Sequence, residues 1–161
     1  MRPPDQLLDL HAALRAAYQT YRDSHWRVKG NDYYGNHLLL QRLYTETEPM
    51  IDALGERITG LYGDGWLEGC AGHVHIEWTK DHAEAFLQAD PMQSALEAAQ
   101  VLHEIYPAAY EELKHRGELT LGLDDLLMAQ QNTVESHLYL LQQALDAKPV
   151  STKKLKTMLL R

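Results

Sequence analysis

His25, His37, Asp52 and Glu56 are the residues of this chain best suited to chemistry, because imidazole nitrogen and carboxylate oxygen together hold a transition metal. Two imidazoles with two carboxylates suit Fe(II), Mn(II) or Zn(II), and suit neither a thiolate metal nor an all-oxygen calcium cage. Spacing decides how they can meet. His37 and Gln41 are four apart, as are Asp52 and Glu56, so on a helix each pair shares a face. His37 and Asp52 are fifteen apart, which is roughly 22 Å along a helix axis and about 60° around it, too far for one ion.

The positions are nevertheless symmetric. His37 and Glu56 lie equally far from the helix midpoint between Glu46 and Thr47, and so do Gln41 and Asp52. A twofold axis through that midpoint sets His37 of one copy opposite Glu56 of a second and builds two identical shared sites, each closed from the side by His25 on the preceding helix. The plainer alternative is that these are boundary residues of amphipathic helices. With nine histidines in 161 residues some fall near acids by chance, and spacing alone leaves both readings open.

The elements that must position these residues are helical throughout, so the fold class expected is all-α. A first helix runs from about Pro4 to Val28, with Leu7, Leu8, Leu10, Leu14, Ala17 and Tyr21 on its buried stripe. The ligand helix follows the Gly-rich turn from Gly30 to Gly35 and extends to about Tyr62, with apolar residues at Leu39, Leu43, Met50, Leu54, Ile58 and Leu61. Pro49 lies inside it and implies a kink. A third helix starts at Pro91 with Asp90 as cap, passes Leu96, Leu102, Ile105 and Leu113, bends at Pro107 and stops at Gly117. A fourth runs from about Leu123 to Ala147, with Leu126, Leu127, Val134, Leu138, Leu141 and Leu145 inward, and ends before Pro149. Between the second and third lies a long crossover, Gly63 to Ala89, carrying Cys70, His73, His75, Glu77 and His82 and a short helix near Asp81 to Leu87. His73 and His75 would share one side of an extended segment, but four tetrahedral zinc ligands at defined spacing are not evident.

The run Ser24-His25-Trp26-Arg27-Val28-Lys29-Gly30, then Tyr33-Tyr34-Gly35-Asn36-His37, then Ile51-Asp52-Ala53-Leu54-Gly55-Glu56-Arg57-Ile58 resembles the Dps family, the mini-ferritins known as DNA-binding proteins from starved cells. The resemblance is close over residues 20–62 and looser from Ser94 to Leu145. It implies a ferritin-like four-helix bundle in a hollow dodecamer, with a ferroxidase centre across each twofold interface. There Fe(II) would be oxidised by hydrogen peroxide or dioxygen and stored inside as Fe(III) mineral. The family's ligand positions fall on His25, His37, Gln41, Asp52 and Glu56, with zinc or manganese able to occupy the same site. Gln41 departs from the pattern: an amide stands where the family has a carboxylate, which makes it a weak ligand or a neighbour of the ligands. Trp26, by the same resemblance, takes up oxidising equivalents; an ordinary interface aromatic is the alternative. A true ferritin instead places Glu-x-x-His on two helices of one bundle. This chain has a single match, Glu112 to His115, where the histidine is better explained as a cation at a helix C-terminus.

One domain, residues 1–147, is expected to carry the bundle, followed by a basic tail, residues 148–161. The formal net charge is −8, so an oligomeric shell attracts Fe(II) and repels duplex phosphates. The tail opposes this with Lys148, Lys153, Lys154, Lys156 and Arg161. Twelve tails could hold DNA by multivalency, through Lys153, Lys154 and Lys156 in particular. Leu155, Met158, Leu159 and Leu160 favour a docked tail instead. A DNA-protecting nucleoid shell with a structural or degraded metal site is therefore the rival function. The single cysteine excludes a disulfide within the chain, and neither a signal peptide nor a membrane helix is legible, so the expected location is the cytoplasm.

Overall fold

A computed structural model describes residues 2–68 and 90–145. Among them the chain forms α1 (Asp5–Arg27), α2 (Tyr33–Tyr62), a 3-10 turn (Asp64–Glu68), α3 (Pro91–His115) and α4 (Leu121–Leu145), with no strand. These helices make a ferritin-like four-helix bundle. α1 packs on α2 and α3, α3 on α4, and α2 more loosely on α4, so α1 and α4 lie across the diagonal.

Each helix forms because its apolar stripe has somewhere to go. Leu7, Leu10, Leu14, Ala17 and Tyr21 of α1 are buried against Leu43, Leu54 and Ile58 of α2 and Leu102, Ala109 and Leu113 of α3 in one core. Each such leucine or isoleucine contributes about 1.5–3 kcal/mol by leaving water. The ends are fixed by specific partners. Pro4 offers α1 no side-chain cap; instead the Glu112 carboxylate of α3 accepts the Gln6 N–H at 2.9 Å. Asp90 caps α3 as expected, its Oδ1 accepting the N–H groups of Met92 and Gln93. Gly117 ends α3 with φ 67°, and the Glu118 N–H closes on the Leu113 carbonyl at 2.9 Å. Thr120 caps α4 through its hydroxyl, which accepts the Leu123 N–H.

Three boundaries or positions differ from the sequence expectation. α2 begins at Tyr33, inside the Gly-rich turn, so Gly35 is helical; the Asn36 N–H bonds the Asp32 carbonyl and the Tyr33 ring meets His37 one turn on. Leu61 is exposed and Leu40 is buried in the core instead. α4 begins at Leu121, because the Thr120 cap outweighs exposure of the Leu121 side chain. Both prolines lie within unbroken helices. Pro107 leaves the His103 carbonyl without its helical donor, and Gln131 Nε2 of α4 approaches that oxygen at 3.4 Å while also donating to His103 Nδ1. Pro49 and Thr45, whose carbonyl loses its partner, are both exposed, so water can take the bond.

No helix among the described residues is long and apolar enough to cross a membrane. The expectations for Cys70, His73, His75, Glu77, His82, the helix near Asp81 to Leu87 and the tail from Lys148, with Lys153, Lys154 and Lys156, fall outside the described residues.

Candidate metal centre

His25 stands in the last turn of α1 and His37 in the second turn of α2, and the intervening turn folds them face to face. Their rings stack with centroids 3.7 Å apart and a 24° interplanar angle. Each ring also holds the other's backbone: His25 Nδ1 donates to the His37 carbonyl at 2.9 Å, and His37 Nδ1 donates to the His25 carbonyl at 3.1 Å. The His25 carbonyl belongs to the last turn of α1, so His37 satisfies an acceptor that the helix leaves open.

The exchange fixes the tautomers. A carbonyl only accepts, so both Nδ1 atoms carry hydrogen, and in the neutral ring Nε2 is then the nitrogen with the lone pair that a metal requires. Orientation of a metal-binding imidazole by a hydrogen bond from its other nitrogen is the usual arrangement in metal sites. Both rings are half-buried.

Asp52 and Glu56 lie on the exposed side of α2, away from this pair. Because α2 runs unbroken from Tyr33 to Tyr62, the separation of roughly 22 Å between His37 and Asp52 stands. No group of three or more His, Cys, Asp or Glu side chains converges among the described residues of one chain. Gln41, one turn beyond His37, is exposed. The structure thus brings together His25 and His37, and leaves Asp52, Glu56 and Gln41 facing outward on the same helix.

Trp26 is 64% exposed and lies under the Arg22 guanidinium, 5.5 Å from its ring centroid. The aromatics that touch the histidines are others. Tyr44 meets His25 edge-on at 5.4 Å, Tyr33 meets His37 at 5.1 Å, and Tyr18 meets Tyr44 at 6.2 Å. Sequence reasoning passed over them, although Tyr44 lies two turns after His37 and Tyr33 one turn before it, both on its face. The intrachain Glu112 and His115 pair is otherwise engaged: Glu112 caps α1, and His115 is exposed.

A second titratable group was also missed. His137 of α4 is fully buried, and its Nε2 donates to Glu46 Oε2 of α2 at 2.8 Å, while Arg42 Nε holds Glu46 Oε1 at 2.7 Å. Burial pushes the His137 imidazole below its ordinary value, with the Arg42 charge adding to this and Glu46 opposing it. Burial resists ionisation of Glu46, but the bonds from His137 and Arg42 outweigh it and hold the carboxyl below its ordinary value.

No family model matches the chain. General stress protein 20U of Bacillus subtilis (strain 168) is 28% identical over 134 residues, covering 78% of this chain and 84% of that protein. Dps from Thermosynechococcus elongatus superposes with a TM-score of 0.66 at 21% identity, covering 89% of this chain and 91% of that one. The Dps protein of Vibrio cholerae O1, described as a member of a broad superfamily of ferritin-like diiron-carboxylate proteins, gives a TM-score of 0.64 at 19% identity, covering 88% of this chain and 87% of its own. The resemblance to Dps proteins, close in sequence only over residues 20–62, therefore extends over the whole bundle as a shared fold.

Proposed function

We propose that this chain is an iron-storing mini-ferritin of the Dps kind, whose ferroxidase site is completed only between two copies. The observation that carries this reading is the reciprocal bonding of His25 on α1 and His37 on α2 through their Nδ1 atoms, which leaves the Nε2 atoms for a ligand that the carboxylates of α2, Asp52 and Glu56, cannot help to hold within the chain. Fe(II) is the substrate. His25 and His37 of one copy and Asp52 and Glu56 of a second supply two neutral and two anionic ligands, enough to neutralise one divalent ion. Anionic oxygens stabilise Fe(III) over Fe(II), so binding there favours loss of an electron; two Fe(II) and two protons reduce one hydrogen peroxide to water, and four Fe(II) and four protons reduce one dioxygen. Zn(II) or Mn(II) would fit the same donors and compete. Gln41 adds a neutral oxygen where a second ion would need an anionic one. Tyr44 and Tyr33 pack the imidazoles in place, and Trp26, nearby but exposed, is the residue assigned to take up oxidising equivalents.

A twofold interface over α2 buries Tyr34, Leu38 and Trp26, which are 71%, 44% and 64% exposed in the single chain. The particle expected is a hollow dodecamer in the cytoplasm, with Fe(III) mineral inside. Light scattering on the purified chain should give twelve times 18.4 kDa, and anaerobic Fe(II) mixed with peroxide should be oxidised at a fixed ratio to subunits before any mineral grows. A monomer would overturn the proposal together with the nucleoid-shell reading, whereas a dodecamer that oxidises Fe(II) no faster than buffer would overturn the proposal and leave the nucleoid-shell reading standing.

A further inference from the structure

The centre of the bundle is polar. Tyr106 Oη of α3 donates to Gln130 Oε1 of α4, and Gln130 Nε2 donates to the Met50 carbonyl of α2, each at 2.9 Å. Nearby, His137 donates through Nε2 to Glu46. An ionised carboxylate only accepts, so His137 Nδ1 carries a lone pair and must itself accept. It has no partner among the described residues, and neither do the hydroxyls of Tyr21 and Ser24 on α1. All three residues are fully buried. The Tyr21 and His137 rings stand perpendicular with centroids 6.0 Å apart, and Ser24 lies one helical turn from Tyr21.

Two orphan donors on α1 and one orphan acceptor on α4 thus occupy the same region of the core, across the bundle's diagonal. Buried polar groups in native proteins are almost always paired, with ordered water where no protein group serves. A direct bond from Tyr21 to His137 would leave Ser24 unpaired. One water satisfies the whole set, accepting the Tyr21 and Ser24 hydroxyls and donating to His137 Nδ1; three bonds is the usual number for a buried water.

We infer that the bundle centre is a binding site for a single water molecule, held by Tyr21, Ser24 and His137, which ties α1 to α4. The bound water completes a continuous polar chain from Arg42 at the surface through Glu46 and His137 to Tyr21. It joins the two helices across the diagonal, which otherwise meet through the Tyr21 and His137 rings, and it anchors the turn of α1 that ends in His25. The site is independent of the metal reading, since none of its three residues is a proposed ligand.

The sign of one substitution tests it. If Tyr21 Oη were unpaired, Tyr21→Phe would remove a buried orphan and raise the ratio of folded to unfolded protein. If the water is present, the same change breaks a bond and lowers that ratio by roughly three- to tenfold in urea unfolding at fixed protein concentration. Ser24→Ala alone mixes in alanine's helix preference, which cancels in a double-mutant cycle with Tyr21→Phe. Residues sharing one water should couple, so the double variant should differ from the product of the two single effects. A crystal structure of the whole chain should show one density peak within hydrogen-bonding distance of all three atoms. A stabilising Tyr21→Phe, an additive cycle, or a direct Tyr21 to His137 bond without that peak would each overturn the inference.

Discussion

At the scale of single residues, the informative departure is Gln41. Two imidazoles and two carboxylates suffice for one divalent ion, whereas a second ion beside it lacks an anionic ligand of its own. One tightly held metal per interface site is therefore expected, and Gln41→Glu should strengthen a second by adding a hard anionic oxygen. Anaerobic calorimetric titration with Fe(II) on both proteins measures this; two equally tight ions in the unaltered protein would show that the amide makes no difference. That His37 and Glu56 lie far apart on one helix could be read from spacing, because a helix converts sequence separation into distance directly. The Glu46 and His137 pair could not, since 91 residues separate them and only packing of α4 on α2 joins them.

That pair gives the protein a direction of pH dependence. His137 takes up a proton near 6.5 when unfolded and only at lower pH when folded, because burial disfavours its charge. Between those two values the unfolded chain binds more protons, so stability falls as pH falls below about 6.5. Glu46, held below its ordinary 4.5, adds a loss of the same sign further down. Urea midpoints measured from pH 7.5 to pH 4 should decline, and His137→Gln should flatten the upper part of that decline. An unchanged profile in the variant would remove His137 from the account.

At the scale of elements, the helices were legible because their stripes have one period and their ends carry recognisable signals: Asp90 before Pro91, Gly117 after His115. The start of α2 was not legible, because Gly35 reads locally as a turn residue, whereas the Asn36 bond to the Asp32 carbonyl and the contact of Tyr33 with His37 accompany an earlier start. Nor was the use of Glu112 as a cap for α1, a contact 106 residues long. Gly55, between the two proposed acids, has a reason that sequence alone hides: a Cβ there would lie 3.3 Å from His11 Nε2, so α1 and α2 approach closely at this point. Gly55→Ala gains about 1 kcal/mol of helix preference and should come out near neutral. Gly55→Val forces the helices apart and should cost about 1–3 kcal/mol. Thermal unfolding of the two variants checks the contrast, and a harmless valine would mean that α1 yields at His11.

At the scale of the whole molecule, charge argues for iron over DNA. A chain of formal net charge −8, if assembled in many copies as proposed, would draw cations in and push phosphates away. Duplex binding should be weak near physiological salt, should appear only at low ionic strength, and should vanish when residues 149–161 are deleted. Gel shifts across a salt series on intact and truncated protein decide this; tight binding at physiological salt would rank nucleoid protection above storage.

The shared site itself is tested most directly by mixing. His37→Ala and Glu56→Ala should each abolish rapid Fe(II) oxidation when alone, since each removes a ligand from every site. Oligomers reassembled from both variants contain interfaces in which one of the two sites has lost both ligands and the other retains the full set. Rapid oxidation should therefore return in part on mixing, in proportion to the mixed interfaces formed. Mixed oligomers as inactive as their parents would mean that His37 and Glu56 do not act across two copies, and would contradict the account.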